Sequence, residues 1–376
     1  MTVDFLVLGA GMAGAAAGYF LAERGRVLIL EREDQPGYHA TGRSAALYTE
    51  AYGNEAIRAL TVASGRFFRA PPPGFAEVPL LRPRGLLMTA PAADEARFEA
   101  AIALGRRFVP RLRRLSRAEA LALCPVLRED RLGHAFLEPD AMDMDVHAIH
   151  QGFLAGMRAR GGRVLTGAAP RAIAREGGLW RVDTAQGSFA APVLVNAAGA
   201  WADDVAAAAG VAPIGIVPMR RTVLIVPAPP DLAVDAWPMV GDVAESFYFK
   251  PESGKLLISP ADATPLPPQD VQPDELDIAI AIERITAATR LEIRRVERRW
   301  AGLRSFARDK TLVIGPEPSA PGFVWMAGQG GYGIQTAPAA GAALAALAAG
   351  EPLPAELAAL GITPAQLLPD RLRGAP

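Results

Sequence analysis

The 376-residue chain is poor in cysteine and lysine. Its one cysteine, Cys124, has no second thiol with which to form an intrachain disulfide. Lys250, Lys255 and Lys310 are its only lysines, so arginine carries nearly all of the positive charge. The 39 basic and 40 acidic residues nearly cancel, which gives no electrostatic argument for nucleic acid or an anionic membrane surface as a partner. These absences favour a small molecule as the ligand.

Long apolar runs are also missing. The longest uncharged helical candidate, about 335–350, is shorter than the roughly 20 apolar residues that cross a bilayer. The N-terminus begins with a strand pattern instead of a charged segment followed by an apolar one, so we expect no secretion signal. With a single cysteine, the chain is therefore expected to be cytoplasmic and to have no integral membrane segment.

Metal-binding patterns are equally sparse. His147 and His150 lie three residues apart near Asp143 and Asp145, but no cysteine or further histidine accompanies them. We expect no metal site. Cys124 precedes a proline in an apolar stretch and is interpreted as a buried, unreactive thiol.

The clearest pattern that is present occupies the first 31 residues. An apolar run is followed by a GxGxxG motif, an alanine-rich helical segment and a second apolar run; the motif glycines are Gly9, Gly11 and Gly14. The first permits a tight turn, the second lets backbone approach a pyrophosphate, and the third lets the helix pack close to the sheet. Glu31 ends the second run, where a carboxylate can hold a ribose 2′-OH and would repel the 2′-phosphate of NADP. The pattern predicts a βαβ unit that binds a dinucleotide.

The remaining patterns predict an α/β protein with two domains, as the length also favours. A Rossmann-like domain is expected to be discontinuous and to comprise residues 1–76, 144–212 and 300–376. A second, α+β substrate domain, built on a mixed or antiparallel sheet, is expected from residues 77–143 and 213–299. In the second domain, polar and apolar residues alternate, which is typical of a half-exposed sheet that forms one wall of a cavity.

Six segments, spread over nearly the whole chain, carry a resemblance to a known family: Gly9–Glu31, Gly37–Ala46, Val195–Trp201, Ser246–Pro251, Trp300–Phe306 and Gln329–Gln335. Together they resemble the D-amino-acid oxidase superfamily of FAD-dependent amine oxidoreductases. Within that superfamily, the chain is most similar to the bacterial D-arginine dehydrogenases.

The resemblance implies non-covalent FAD as the cofactor. The residues that it implies for FAD binding are Gly9, Gly11, Gly14, Glu31, Arg32, Thr41, Arg43, Ser44, Ala45, Ala198, Gly199, Gly330, Gly331, Tyr332, Gly333, Ile334 and Gln335. By the same analogy, the turn 330–335 directs a helix dipole at the pyrimidine end of the flavin, which favours hydride acceptance. His39 lies where some relatives attach FAD covalently, but relatives with this local motif do not. Pro170 departs from the family, because proline cannot offer the N–H that relatives direct toward the adenine.

The substrate site follows from the same resemblance and from physical argument. An amino-acid carboxylate in a dry cavity needs fork-like donors, and Arg221 and Arg304 lie in the two segments that the family uses for this purpose. Tyr52 and Tyr248 would add phenolic hydrogen bonds, and the carbonyl of Gly331 could accept one from the substrate amino group. The alternatives are a surface charge for each arginine and core packing for each tyrosine.

Two positions depart from the D-arginine dehydrogenases. Leu86 falls where those enzymes offer a glutamate to the guanidinium, and Leu47 replaces a histidine beside the flavin segment. Both changes remove polarity, so a neutral, apolar substrate side chain is expected, unless Glu50 or Glu245 supplies the missing acid.

The sequence therefore predicts FAD-dependent oxidative deamination of a D-amino acid to an imino acid, then to a 2-oxo acid and ammonia, by hydride transfer to flavin. Oxygen or a quinone would re-oxidise the flavin, and the protein would be a monomer or a small homo-oligomer. Three alternatives stay open: a D-arginine dehydrogenase proper, a secondary-amine oxidase acting on sarcosine, glycine or proline, and a non-enzymatic flavin- or NAD-binding module.

Overall fold

The structure is a computed structural model, and it describes residues 1–373. In chain order its strands are β1 Phe5–Leu8, β2 Val27–Leu30, β3 Leu47–Tyr48, β4 Leu81–Pro83, β5 Leu86–Ala90, β6 Arg113–Leu115, β7 His134–Glu138, β8 Met142–Met144, β9 Arg163–Leu165, β10 Ala172–Glu176, β11 Leu179–Thr184, β12 Gly187–Ala191, β13 Val193–Asn196, β14 Val217–Pro227, β15 Met239–Asp242, β16 Tyr248–Glu252, β17 Lys255–Ser259, β18 Thr264–Pro265, β19 Arg298–Phe306, β20 Val313–Pro316 and β21 Phe323–Ala327. Its α-helices are α1 Met12–Leu21, α2 Glu55–Arg69, α3 Glu95–Arg106, α4 Arg117–Leu123, α5 Val146–Ala159, α6 Ala202–Ala208, α7 Glu275–Ala288, α8 Ala337–Ala348 and α9 Ala355–Ala359.

The predicted βαβ unit lies in the middle of a six-stranded sheet with the order β20-β21-β13-β1-β2-β9. Its strands are parallel except for β20, which pairs antiparallel with β21. The central strands are apolar along nearly their whole length because both faces of the sheet are covered, one by helices and the other by β10, β11, β12 and α6. On one face, α1 packs against α5 and α8.

Gly14 explains how α1 can lie so close to the sheet. A Cβ atom at this position would lie 1.8 Å from the carbonyl oxygen of Gly9, well inside van der Waals contact. Gly9 itself has φ of +100°, in the region that favours glycine. Gly9 and Gly14 therefore have the roles that the motif spacing predicted, which are the tight turn and the close packing of the helix.

The second large sheet has nine strands, with the order β18-β14-β17-β16-β15-β5-β7-β6, and β19 pairs with β14. It is mostly antiparallel, with one parallel pair between β5 and β15. Helices α4 and α7 pack against it. The α/β fold, with a Rossmann-like part and a second part built on a mixed sheet, is therefore confirmed, whereas the domain boundaries listed above stay a prediction.

Two smaller antiparallel sheets complete the described part of the chain, β10-β11-β12 and β3-β8-β4. In the second of these, Leu47 lies opposite Asp143, so the chain that leads from the nucleotide-binding unit reaches toward the nine-stranded sheet. Asp143 also bonds the Lys250 ammonium of β16 at 2.9 Å and the Arg84 guanidinium at 2.6 Å. The ion pair with Lys250 fixes β8, and through it β3, relative to the nine-stranded sheet.

Candidate active site

One elongated cavity of about 1010 Å³ runs from the six-stranded sheet to the nine-stranded sheet. All of the predicted cofactor and substrate residues line it except Gly14, which instead packs under the glycine loop. The lining also includes Met88, Phe136, Pro170, Met239, Glu245, Asp262 and Gln329.

The end of the cavity near β1 and β2 has the shape of a dinucleotide cradle. Gly11 caps α1 and has no side chain to fill the space in front of the helix N-terminus. A Cβ at Gly9 would lie 2.6 Å from the carbonyl oxygen of Ala197, so the loops after β1 and β13 meet closely at this point. The topology agrees, because ligands of open parallel sheets bind beyond the carboxyl ends of the strands.

Side chains around the glycine loop hold its backbone in place. Glu31 is buried, and its carboxylate accepts from Ala10 N–H at 2.7 Å and from Glu33 N–H at 3.0 Å. A carboxylate has about four acceptor sites, so these bonds leave room for a ribose hydroxyl. Thr41 accepts from Met12 N–H at 2.9 Å. These residues shape the loop even before they contact a cofactor.

Some predicted cofactor residues use their side chains elsewhere. The Arg43 guanidinium donates to the carbonyls of Val271 and Ala301 and to Asp270, so it ties two loops together. Gln335 bonds Thr49 and Thr61 with its carboxamide.

Two of the three histidines noted in the sequence, His39 and His150, lie near this cradle in structural contacts. His150 Nε2 lies 2.8 Å from the carbonyl oxygen of Ala10, and desolvation lowers the pKa of its imidazole. His39 Nε2 lies 2.9 Å from Glu33 Oε1, and its ring stands against Trp201.

The opposite end of the cavity gathers the predicted substrate residues. In the β14–β19 ladder, Arg221 lies opposite Gly302 and Arg304 opposite Met219. Because side chains alternate along a strand, this register puts both guanidinium groups on the same face of the sheet. Desolvation, and then the positive charge of Arg304, lower the pKa of the Arg221 guanidinium. Two cations so close together make a site that favours an anion.

Tyrosines complete this end. The Arg221 guanidinium carbon lies 6.0 Å from the centre of the Tyr248 ring. A Cβ built on Gly331 would lie 2.9 Å from an Arg304 nitrogen and 3.3 Å from the Tyr52 hydroxyl, so these three residues converge. Desolvation raises the pKa of Tyr52, which keeps its hydroxyl protonated as a donor.

Four buried polar atoms of cavity-lining residues have no hydrogen-bond partner within residues 1–373: Arg58 Nη1, Arg220 Nε, the Tyr248 hydroxyl oxygen and the Gln329 carboxamide nitrogen. Arg220 still forms ion pairs with Asp262 and Asp277. Buried polar groups without partners are costly unless a ligand satisfies them, so the Tyr248 and Gln329 atoms fit a cavity that is completed by a cofactor and a substrate. The cradle, the acid beside it and these orphaned atoms together fit FAD.

The middle of the cavity is apolar. Leu86 and Met88 lie on one face of β5, opposite Met239 and Gly241 of β15, and Tyr248 continues the row. Leu47 lines the neighbouring wall. Glu245 and Glu50 are the two acids that the sequence offered as partners for a cationic substrate. Glu245 lies on the cavity wall, and its own φ is +52°. Glu50 instead accepts from the Tyr48 hydroxyl and pairs with Arg69.

Comparison with known proteins resolves the family. The DAO family model, described as FAD dependent oxidoreductase, matches residues 4–347. The chain belongs to this family. An uncharacterized oxidoreductase of Bacillus subtilis, YurR, is 24% identical over 93% of this chain and 95% of its own. The protein is therefore an oxidoreductase with FAD as its cofactor, as the sequence predicted.

Solved structures share the fold at low sequence identity. Glycine oxidase from Geobacillus kaustophilus superposes with a TM-score of 0.78 at 23% identity, covering 93% of this chain and 95% of that one. L-proline dehydrogenase from P. horikoshii gives 0.82 at 22% identity, covering 94% and 96%. The resemblance to the wider superfamily is confirmed. Within residues 1–373, moreover, no helix is long and apolar enough to cross a membrane.

The sequence did not single out several residues that shape the site. Asp262 holds Arg221 through its backbone carbonyl, which accepts from Arg221 Nε at 2.7 Å. Nothing local in the sequence marks this contact, because 41 residues separate the partners. Gln329 lies inside a motif that the sequence did identify, and its position beside the glycines of that turn was the available signal.

Proposed function

We propose that the protein oxidises a D-amino acid to the corresponding imino acid, which water then hydrolyses to a 2-oxo acid and ammonia. The observation that carries the proposal is the pair of arginines, Arg221 and Arg304, on one sheet face of the FAD cavity beside two tyrosine hydroxyls. An α-carboxylate fits two guanidinium groups in a desolvated site better than any neutral group does.

The residues of the site have separate roles in this reaction. Arg221 and Arg304 bind the carboxylate and thereby fix the orientation of the α-carbon. Tyr52 and Tyr248 donate hydrogen bonds, and the Gly331 carbonyl accepts one from the amino group. The chemistry that FAD would supply when bound is that of a hydride acceptor. Because Tyr52, Arg221 and Arg304 are desolvated by burial, the site favours the neutral amine, whose lone pair assists departure of the hydride.

The side-chain pocket supports a neutral, apolar substrate. Leu47, Leu86, Met88 and Met239 line it, and each substrate CH₂ buried against them contributes about 0.8 kcal/mol. D-Leucine, D-methionine or D-phenylalanine would gain in this way. The competing feature is Glu245, whose carboxylate on the wall favours a cationic side chain such as that of D-arginine.

A secondary-amine substrate is the second candidate. Glycine oxidase and L-proline dehydrogenase, whose folds are similar, are named for glycine and for a cyclic secondary amine. Neither name points to a D-amino acid, so the D configuration is inferred from the resemblance to the D-arginine dehydrogenases.

The test is anaerobic reduction of the FAD-loaded enzyme, followed as bleaching of the flavin absorbance near about 450 nm. D- and L-enantiomers of leucine, methionine, phenylalanine and arginine are compared with glycine, sarcosine and proline. Bleaching by apolar D-amino acids supports the proposal; preferential bleaching by sarcosine, proline or L-enantiomers contradicts it. Re-oxidation by oxygen or by a quinone dye is measured on the same samples.

A pair of variants tests the side-chain pocket. Leu86→Glu should shift the preference toward D-arginine, because it returns a carboxylate to the wall. Leu86→Gln is the matched control, because glutamine has nearly the same shape as glutamate but carries no charge. A wild-type preference for D-arginine that Glu245→Gln abolishes would assign recognition to Glu245 and overturn the apolar preference.

A further inference from the structure

The segment 49–53, here called the Tyr52 segment, is held from behind by a buried carboxylate. The Thr49 hydroxyl donates to Glu138 Oε2 at 2.6 Å, and the Glu50 N–H donates to Glu138 Oε1 at 2.9 Å. Glu138 is 1% exposed and Thr49 is 5% exposed. Both carboxylate oxygens are therefore used to fix one end of the segment that carries Tyr52.

Glu138 belongs to the cavity side of the sheet. It lies opposite Leu86 in the β5–β7 ladder, and Phe136, two residues earlier on the same face, lines the cavity. Thr49 also lines the cavity and accounts for one of the two bonds to Glu138. Glu138 does not itself line the cavity, and its hydrogen bonds connect it to the site through Thr49 and Glu50 of the Tyr52 segment.

Other groups hold the same segment. Arg58, on α2, donates from Nε to the carbonyl of Gly53 at 2.8 Å, which fixes the far end. The Gln335 carboxamide accepts weakly from Thr49 N–H at 3.4 Å and donates to the Thr49 carbonyl at 3.3 Å. These neutral or permanently charged contacts do not depend on pH near neutrality. Two carboxylates hold the segment: Glu138 from behind, and Glu50 within it, through Tyr48 and Arg69.

The surroundings of Glu138 push its titration into the neutral range. Burial is the main influence and raises the pKa of Glu138 to about 7, against the hydrogen bonds from Thr49 and Glu50 N–H, which lower it. The charged groups that act on it are Glu50 on the segment, which raises the pKa further, and Arg58 on α2, which lowers it.

We propose that Glu138 is a positioning residue: its ionised carboxylate holds the Tyr52 segment in the geometry that binds substrate, and its protonation loosens the segment and weakens substrate capture. Charge-assisted hydrogen bonds are roughly twice as strong as neutral ones, so protonation weakens both contacts together. The contacts of Arg58 and Gln335 remain, so the segment loosens without detaching. The inference rests on the proposed function only in assuming that Tyr52 contacts the substrate.

The kinetic test is the pH dependence of KM and kcat for the FAD-loaded enzyme, with the best D-amino acid, between about pH 5.5 and 8.5. For the wild type, KM should rise about five- to tenfold as pH falls through about 7, with a smaller change in kcat. Glu138→Gln should show a high KM and no inflection, because a carboxamide accepts at one oxygen only and does not titrate. Thr49→Val should raise KM at neutral pH, whereas Thr49→Ser, which keeps the hydroxyl, should restore it.

Glu317→Gln is the matched control, since Glu317 is another buried glutamate, held by Ser319 and Trp325 away from the cavity. It should keep the wild-type inflection. Retention of that inflection in Glu138→Gln, or a wild-type KM in Thr49→Val, overturns the inference.

A second measurement separates this inference from the proposed function. Hydrogen–deuterium exchange of residues 49–53, corrected for the intrinsic effect of pH, should increase below about pH 6.5 in the wild type and be uniformly high in Glu138→Gln. Equal protection of the segment in both proteins at every pH overturns the inference even if turnover is observed. Absence of flavin reduction by any D-amino acid would refute the proposed function alone.

Discussion

Replacing the two site arginines one at a time offers the sharpest test of the carboxylate site. Arg221→Ala and Arg304→Ala each remove one charge-assisted contact, worth about 1.5–3 kcal/mol when made in a desolvated site. Since about 1.4 kcal/mol is a factor of ten, each variant should lose roughly 10- to 150-fold in kcat/KM. FAD content should stay at the wild-type level, because neither side chain supports the glycine loop.

The structure also predicts how the two losses combine. Arg221 and Arg304 share one face of the β14–β19 ladder and would share one carboxylate, so the double variant should lose less than the product of the single losses. Removing Arg304 also relieves the repulsion that lowers the pKa of Arg221. Steady-state kinetics of the four proteins, wild type included, form the complete double-mutant cycle.

Two controls make the result specific. Arg299→Ala removes an exposed arginine from the same strand, one that pairs with Glu275 at 2.7 Å, and should leave kcat/KM unchanged. A primary amine that lacks the carboxylate should be a poor substrate of the wild type and no poorer for either variant. Wild-type kcat/KM in both single variants, or an equal loss with the amine, would refute carboxylate capture by these residues.

Three further predictions concern the cofactor cradle and stability. Gly14→Ala forces a Cβ to within 1.8 Å of the Gly9 carbonyl oxygen, so it should lower the free energy of unfolding by about 1–3 kcal/mol and weaken FAD binding. Thermal melting and flavin fluorescence measure the two effects, and a wild-type FAD affinity would contradict the close packing. Pro170→Ala returns a backbone N–H to the cavity wall and should tighten FAD binding by about two- to tenfold in equilibrium titration, and an unchanged Kd would mean that the adenine does not use it. Because burial raises the pKa of Glu138 to about 7 from an ordinary value of 4.5, its contribution to the free energy of unfolding should be fully present below about pH 4.5 and be lost as pH rises through about 7; Glu138→Gln should remove about 1–3 kcal/mol of this decline, and a parallel decline in the variant would contradict it.

The sequence predicted the parts of the molecule whose information is local. The roles of Gly9 and Gly14 follow from backbone conformation and helix packing within one βαβ unit. Arg221 and Arg304 were recognised by resemblance, but their common sheet face depends on a pairing register that no short stretch encodes.

Other features could not be read because distant residues make them. In the sequence, Glu138 is an ordinary strand residue. Its partners, Thr49 and Glu50, lie 89 and 88 residues earlier in the chain, and only the folded structure brings them to it. Gln335 belongs to the motif of the turn 330–335, yet its carboxamide donates a hydrogen bond to the carbonyl of Thr49, 286 residues earlier in the chain. Glu50 and Glu245 were equivalent candidates in the sequence, and only the fold directs one to Arg69 and the other to the cavity wall.

The order of strands in the six-stranded sheet has a consequence for how the protein is made on the ribosome. β1 pairs at one edge with β2, which follows closely in the chain, but at its other edge with β13, and β13 in turn pairs with β21. That edge must therefore wait for residues 193–196 and then 323–327, and the side of α1 that packs against α8 waits for residues 337–348. Until then, the open strand edge and this apolar helix face are exposed to aggregation or to chaperones. Because the turn 330–335 follows β21, FAD cannot find its complete site on a nascent chain, and we expect the cofactor to be captured only after nearly the whole chain has been released.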